Sequence, residues 1–405
     1  MTTPEFRCLQ LPDVALREVL KNMDLTELLI LSLCSQKTNR VVKLNHNKSL
    51  EWTLWFCEYR SEPSIGFQCD APLRTAIVVK EATEFVHIEK YTPEEQKLAT
   101  HRNGLFASLI GSGARFAPNS SMEEMENATK LDELEKVKIG GQNMPISKGD
   151  GPFQVYCTDP KDGFNTIRDY VKDLFGDAPI IVSAEPHLLW FLESIEKRVK
   201  KAFISSEYTA DLEGVPLTEE EARYVLAKCD AHEINLSAVF PESFNYTGSF
   251  LNYHTISIHY GSWVNSGNLI SFGESCVDLY ITYSKVTNED INKFIKHWFN
   301  GNMYGFRRLI IEYEPVNEDA ILADLKDEMI PVDGIMVFRC ELYRENIDFP
   351  PDSNVLQRKD GKVLATAITT GTKNTVICVW NDIKSSQKYQ AGFSSFPLAP
   401  FHNVV

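Results

Sequence analysis

The sequence predicts an α+β protein built from more than one structural unit. Three observations support this prediction: three short helix patterns at the N-terminus, a later alternation of strand and helix patterns, and a group of strand patterns near the C-terminus. The chain has 405 residues, a length that suggests two or three structural units. Its 43% hydrophobic and 24% charged residues are typical of globular proteins.

The N-terminal helix patterns come first. A helix that starts at Pro12 places apolar side chains at helical spacing, and proline is favoured in a first turn. Asp24 and Glu27 have the spacing of a capping box, which predicts the start of a second helix over 25–34. A more polar third helix is predicted over 36–43. The second helix contains the run LLILSLC, whose large aliphatic side chains point in nearly every direction, so we expect another protein surface to cover them.

Two less regular segments follow. Residues 45–98 alternate aromatic and polar side chains and are predicted to form a connecting β-rich segment. Residues 99–130 mix glycine, serine, asparagine and acidic residues without sustained periodicity, which predicts a flexible loop.

Residues 131–390 are predicted to form one α/β domain. Strand patterns begin roughly 20–30 residues apart, the spacing of leucine-rich repeats, and the helix patterns between them favour a mainly parallel sheet with a leucine-rich-repeat-like architecture. After residue 330 the pattern returns to strands, with an Asp-Gly turn in KDGK, so a C-terminal β region is predicted, followed by a tail over 391–405. The predicted helices lie at 164–175, 186–201, 218–229 and 287–300.

The parallel strands predict two faces of different chemistry. Alternate apolar residues should face the helices. They are Leu236, Ile256, Ile258, Leu279, Ile281, Leu309 and Ile311. The opposite, exposed face is either a substrate-binding surface or a merely solvated one, and a register slip of one residue would exchange the two sets. Its members are Ser237, Thr255, Ser257, His259, Tyr280, Thr282, Arg308 and Glu312.

Charge and cysteine usage restrict the partners and the compartment. The 41 basic and 56 acidic residues give a net charge of −15, which disfavours nucleic acid and anionic membranes as partners. Nine scattered cysteines, with no closely spaced pair, indicate reduced thiols and a cytoplasmic or nuclear protein. The first residues lack the apolar segment of a secretory signal.

Catalytic signatures are weak or absent. The stretch GSGARF lacks the third glycine of a dinucleotide-binding loop, and the HIE stretch lacks the cysteine pair of a zinc deaminase. His254 and His259 fall on opposite faces of one predicted strand, so they cannot share a metal ion. We therefore predict no catalytic residues, no metal and no cofactor. A hydrolase with an unrecognised Cys–His pair stays open as an alternative.

Two parts of the chain resemble known families. The stretch LQLPDVALREVLKNMDLTELLILSLCSQKTNRVV resembles an F-box, with Leu-Pro before a leucine-bearing helix and an acidic cap before an L-x-x-L-L helix. The later chain resembles the F-box-associated domain of the large nematode F-box family. That second resemblance rests on GFNTIRDYVKDLFG (163–176), TNEDINKFIKHWFNGN (287–302), FRRLIIEYEP (306–315) and QRKDGKVLATAI (357–368). Residues 1–44 would be the F-box and residues 131–390 the F-box-associated domain.

The resemblance implies a non-catalytic role. F-box proteins dock onto the Skp-family adaptor of cullin-based ubiquitin ligases, and the downstream domain captures a protein substrate. The adaptor would then cover the excess apolar surface of the helices. An interaction protein that binds the adaptor without any ligase role is the alternative. The predicted adaptor contacts are Leu11, Pro12, Leu16, Val19, Leu20, Leu28, Leu29 and Leu33.

Overall fold

The computed structural model divides the chain into two compact units, residues 1–194 and residues 195–405. The described residues are 10–48, 50–59, 62–69, 73–82, 85–87, 128–147, 152–206, 216–340, 345–349, 353–369 and 374–387. Most of the predicted flexible loop, 99–127, and the predicted tail, 391–405, lie outside them. The domain boundaries predicted after residues 44, 98, 130 and 390 stay predictions.

The first unit opens with three helices: α1 (Asp13–Asn22), α2 (Leu25–Leu33) and α3 (Gln36–Asn45). The predicted capping box is present, since Asp24 accepts a hydrogen bond from the Glu27 backbone N–H at 2.8 Å and Glu27 accepts one from the Asp24 N–H at 2.9 Å. The four N–H groups at a helix start lack intrahelical acceptors, so this pair determines where α2 begins.

A seven-stranded mixed sheet follows in the first unit, in the order β9-β1-β2-β3-β8-β7-β6. β1 pairs in parallel with β9, and β3 with β8, whereas the other neighbours are antiparallel. Two further short strands, β4 and β5, pair with each other. The strands are β1 (Thr53–Tyr59), β2 (Glu62–Gln68), β3 (Arg74–Glu81), β4 (Phe85–His87), β5 (Ala128–Lys130), β6 (Glu135–Ile139), β7 (Gln142–Ser147), β8 (Phe153–Cys157) and β9 (Ile180–Ala184). A 3-10 turn, Leu131–Glu133, precedes β6.

Helix α4 (Pro160–Phe175) packs across this sheet. Its buried face carries Phe164, which lies edge-on to Phe56 of β1 at 5.0 Å between ring centroids and stacks on Phe191 at 4.7 Å. Gly163 makes the close approach to β8 feasible, because a Cβ atom there would lie 2.2 Å from the Sγ atom of Cys157. The aromatic cluster therefore forms the centre of the first unit's core.

The second unit contains five parallel strands, in the order β10-β11-β12-β13-β14. β14 pairs with the first of four antiparallel strands, which lie in the order β20 (Asn374–Trp380), β19 (Val363–Thr369), β18 (Asn354–Gln357) and β15 (Met329–Pro331). The parallel strands are β10 (Val199–Ser205), β11 (Ala231–Ser237), β12 (Thr255–Ile258), β13 (Asp278–Ile281) and β14 (Arg308–Glu312). The connecting helices are α5 (Glu219–Lys228), α6 (Ser266–Ser275) and α7 (Asn288–Phe299).

The C-terminal part of the second unit closes over its own apolar cluster. A separate ribbon, β16 with β17, buries Phe338 and Phe349 edge-on against Trp380 at 5.6 and 5.4 Å between ring centroids. The remaining elements are α8 (Glu318–Ile321), a 3-10 turn (Lys326–Glu328), β15 (Met329–Pro331), β16 (Met336–Cys340), β17 (Glu345–Phe349), β18 (Asn354–Gln357), β19 (Val363–Thr369), β20 (Asn374–Trp380) and α9 (Ile383–Gln387).

The predicted α+β multidomain layout is confirmed, including the three N-terminal helices, the parallel strands and the C-terminal β region. The helix predicted over 186–201 is wrong. Only Pro186–Leu192 is helical, as a 3-10 turn, and Val199–Ser205 is a strand. Pairing with β11 and alternating burial override the helical pattern there. Helix α6 was not predicted, because its glycine and serine residues have low helix propensity.

Among the described residues, no helix combines the length and the apolar composition that a membrane crossing requires.

Candidate functional site

The structure buries most of the predicted adaptor contacts within the chain itself. Five of the eight side chains are at most 8% exposed, and this contradicts the expectation that another protein covers them. They are Leu16, Leu20, Leu28, Leu29 and Leu33. A side chain that its own chain encloses is not available to a partner in this conformation.

The covering surface belongs to α4 and the strands of the first unit. The Tyr170 hydroxyl lies 2.9 Å from Ser32 Oγ on α2 and accepts a hydrogen bond from Asn39 Nδ2 on α3 at 2.9 Å. Two ion pairs add to this contact at its edge, Lys43 with Asp173 and Arg74 with Asp24. Helix α2 also packs against β6. Intramolecular packing therefore explains the apolar character of α2.

Several apolar side chains remain exposed or half-buried on α1 and α3. Pro12 is exposed, and Leu11 and Val19 are half-buried. Val14, which the sequence analysis did not single out, is 77% exposed, and Leu44 on α3 is 73% exposed. Exposed aliphatic side chains on short helices are candidates for a partner contact. The role of Leu11, Pro12 and Val19 in adaptor binding stays a prediction.

The second unit places the predicted substrate residues on one face of the parallel strands. The register pairs Thr255 with Asp278 and Asp278 with Arg308, and it pairs Ser257 with Tyr280. The apolar set lies on the opposite face, where every member is buried. The predicted division of the two faces therefore agrees with the strand pairing.

The exposure expected for this polar face is wrong at four positions. Thr255, Ser257, Thr282 and Arg308 are between 2% and 8% exposed. The buried Arg308 lies beside Asp278, with Nε 3.4 Å from Oδ1. Ser237, His259, Tyr280 and Glu312 are half-buried and stay candidates for contact with a substrate.

Hydrogen bonds and ion pairs within the chain use much of the polar face. Arg308 Nε lies 3.4 Å from Asp278 Oδ1, and Ser237 Oγ donates to Asn235 Oδ1 at 2.8 Å. Burial lowers the pKa of His259, so its imidazole is neutral at physiological pH. Burial also raises the pKa of Asp278, and the neighbouring Arg308 partly opposes that shift. The face therefore offers mainly neutral hydrogen-bonding groups.

A cleft of about 400 Å³ lies where β12 and β13 end, and the sequence analysis missed it. The segments that line it follow β11, β12 and β13 in the chain and include the first turns of α6 and α7. Ligands of parallel α/β sheets bind outside the carboxyl ends of the strands, so this cleft is a candidate site. Lining side chains include Phe244, Trp263, Asn265, Ser266, Lys285 and Asp290.

One cluster of described residues has the composition of a cation site. The ligand atoms of Glu58, Glu185 and His187 all lie within 4.8 Å of one another. Glu58 and Glu185 come together at the ends of the parallel strands β1 and β9, a proximity that neither local sequence reveals. All three residues have interactions within the protein, and we assign no ion to the cluster. The absence of a metal stays a prediction.

Two stretches of the chain match known protein families. Residues 8–50 match the F-box domain, and residues 250–311 match a family described as F-box associated. The first match covers α1 to α3, and the second includes much of the cleft and the strands β12 to β14. No curated protein is similar enough in sequence to be matched to this chain. The predicted order of an F-box and an F-box-associated domain is thus confirmed.

Proposed function

We propose that this chain, which has the domain arrangement of nematode-type F-box proteins, is the substrate-recognition subunit of a cullin-based (SCF-type) ubiquitin ligase. F-box domains generally bind Skp-type adaptors, and F-box proteins are generally adaptors rather than enzymes. The F-box would bind the Skp-family adaptor, and the second unit would hold a protein substrate. The observation that carries this proposal is the F-box match over three helices that still expose apolar side chains.

The proposed mechanism is an increase in effective concentration. Holding a substrate and the ubiquitin-carrying enzyme in one assembly turns their encounter into an intramolecular event. The chain itself would form and break no bonds. A cytoplasmic or nuclear location, compatible with such a role, stays a prediction.

Four of the described thiols are unsuited to act as the nucleophile of a Cys–His hydrolase. Burial raises the pKa of Cys57, Cys157 and Cys276 to about 11 and that of Cys229 to about 12. A nucleophilic cysteine needs a lowered pKa, because the thiolate is the reactive form. These four thiols are therefore poor nucleophiles at neutral pH.

The test is a binding measurement between the full-length chain and a purified Skp-family adaptor. Val14→Asp places a charge on an exposed side chain and should weaken adaptor binding at least tenfold without changing the melting temperature. Ile335→Asp changes a 43% exposed side chain in the second unit and is the matched control, with unchanged binding. Failure of the unaltered chain to bind the adaptor would refute the proposal.

Two other tests of adaptor binding, a charge at a buried leucine and deletion of the three helices, would not give an interpretable result. Aspartate at Leu16 or Leu20 would put a charge into positions that are 8% and 0% exposed, so the helices would unfold and any loss of binding would be uninformative. Deleting residues 1–44 would remove the helices that pack on α4. The Tyr170 hydroxyl would then lose its hydrogen-bond partners Ser32 and Asn39. Val14→Asp in the full chain avoids both problems.

A ligase role can be distinguished from adaptor binding alone by measuring substrate levels in cells. Substrates whose degradation depends on this chain should accumulate in cells that carry Val14→Asp. Their levels should stay normal in cells that carry Ile335→Asp. Adaptor binding without any such accumulation would favour an interaction protein that has no ligase role.

A further inference from the structure

We propose that the cleft at the ends of β12 and β13 binds an acidic peptide and holds the carboxylate of an aspartate or glutamate side chain. The inference rests on the proposed function, because it names the chemical class of the substrate that the second unit would recognise. A volume of about 400 Å³ accommodates a few side chains of an extended peptide but not a folded domain.

The lining of the cleft includes a residue with a buried donor that has no acceptor among the described residues. Trp263 lines the cleft and is only 5% exposed, and its Nε1 has no hydrogen-bond partner among the described residues. The indole ring is held by Phe240 and Phe244, with ring centroids 4.9 and 5.6 Å away. A buried N–H group without a partner destabilises the protein, so an oxygen acceptor that a ligand brought to it would recover that energy.

The start of α6 also lines the cleft. Asn265 caps this helix, and its side chain accepts a hydrogen bond from the Asn268 N–H at 3.0 Å. The preceding N–H groups, of Ser266 and Gly267, have no acceptor within the helix. The first turn of α6 contains no acidic residue, so the partial positive charge of this helix end is not neutralised by its own side chains.

Helix α7 also begins at the cleft, but unlike α6 it has acidic residues in its first turn. Asp290 lines the cleft, but its carboxylate already accepts hydrogen bonds from Thr287 N at 2.9 Å and from Thr287 Oγ1 at 2.8 Å. The acid therefore neutralises its own helix end. The donors left for a ligand come from α6 and Trp263.

The cleft also carries a positively charged side chain. Lys285 lines the cleft, is exposed, and has no ion pair in the part of the chain that the structure describes. Arg223 contacts two residues that line the cleft. It donates a hydrogen bond to the Asn245 carbonyl at 3.1 Å, and its guanidinium carbon lies 5.5 Å from the centroid of the Phe244 ring. Its own partner is Glu219, at 2.7 Å, so Lys285 is the cation available to a ligand.

The charged side chains that line the cleft favour a carboxylate over a phosphate as the ligand group. Phosphorylated peptides are usually recognised by clusters of arginines, which neutralise close to two negative charges. The cleft offers one unpaired cation beside the carboxylate of Asp290. One indole N–H, helix N–H groups and one ammonium group match a single negative charge with several acceptor lone pairs.

The experiment uses the full-length chain and an array of ten-residue peptides with one variable central position in a serine–glycine background flanked by leucine. The central residue is aspartate, glutamate, asparagine, glutamine, lysine or phosphoserine. We expect the aspartate or glutamate peptides to bind at least tenfold more tightly than their amide counterparts, and binding should weaken as salt is raised.

Variants then assign the binding to the cleft. Lys285→Glu should abolish the preference for acidic peptides, and Trp263→Phe, which keeps the ring but removes the donor, should reduce it. Lys359→Glu makes the same charge change at an exposed lysine outside the cleft and should have no effect. Thermal unfolding of each variant checks that the fold is retained.

Three outcomes would overturn the inference: equal binding of acid and amide peptides, retained preference in Lys285→Glu, or selective binding of phosphoserine peptides. Absence of any peptide binding would overturn it as well. Adaptor binding is measured on the same preparation. If the adaptor binds and the acidic peptides do not, this inference fails alone, whereas loss of adaptor binding is a failure of the proposed function.

Discussion

The hydroxyl of Tyr170 on α4 lies 2.9 Å from Ser32 Oγ on α2. This contact joins the F-box helices to the α/β part of the first unit over a sequence separation of 138 residues. The same hydroxyl accepts a hydrogen bond from Asn39 on α3, so one side chain connects two helices to α4. The F-box of this chain is therefore packed into a larger unit and is not a freely moving module.

Removing the Tyr170 hydroxyl should destabilise the first unit. Tyr170→Phe keeps the ring but deletes the partner of both Ser32 and Asn39, and each net hydrogen bond is worth about 0.5–1.5 kcal/mol. We expect the free energy of unfolding, measured in urea, to fall by about 1–3 kcal/mol. Tyr304→Phe, at a side chain that is 73% exposed, is the control and should change little. Equal stability of both variants would contradict this account of the interface.

The ion pair between Arg358 and Asp360 should make stability depend on pH in the acid range. Arg358 is buried over the Trp298 ring, and its guanidinium holds the pKa of Asp360 at about 2, below the ordinary 3.8. Because the folded state lowers this pKa, the stabilisation is complete above pH 3.8 and is lost as the pH falls through about 2. Asp360→Asn should therefore reduce stability at neutral pH, with a difference that shrinks in acid.

Acid unfolding curves of the two chains provide the measurement. Asp348→Asn, at an exposed carboxylate in the ribbon strand β17, is the control and should keep the pH profile of the unaltered chain. A stability difference for Asp360→Asn that persists unchanged at pH 2 would show that the carboxylate does not act through its charge.

The cysteines should differ strongly in reactivity towards iodoacetamide. Cys34 is exposed at the end of α2, whereas Cys57, Cys229 and Cys276 are buried and have raised pKa values of about 11 to 12. Alkylation requires a thiolate that is accessible to solvent, so we expect Cys34 to be modified before Cys57, Cys229 and Cys276 in the folded chain. Peptide mapping by mass spectrometry follows each site, and labelling in urea gives the reference. Modification of Cys229 as fast as Cys34 would contradict the burial described here.

Helix starts and strand faces could be predicted from the sequence. The predicted capping pair of Asp24 with Glu27 is present, and the same spacing forms capping boxes at Thr218 with Glu221 and at Thr287 with Asp290. Alternation of polar and apolar residues identified which side of β12 and β13 is polar. These features depend on residues within about four positions of one another, so the local sequence pattern is sufficient to predict them.

Burial and the candidate cleft could not be predicted in this way. The leucines of α2 have the composition of a partner surface, but α4 and β6, more than 100 residues later in the chain, help to cover them. The cleft forms where segments following three different strands meet, and Trp263 becomes a buried donor only in that assembly. The sequence determined most of the elements and their polarity, whereas tertiary contacts between distant segments decided the strand at Val199–Ser205 and which surfaces remain available to partners.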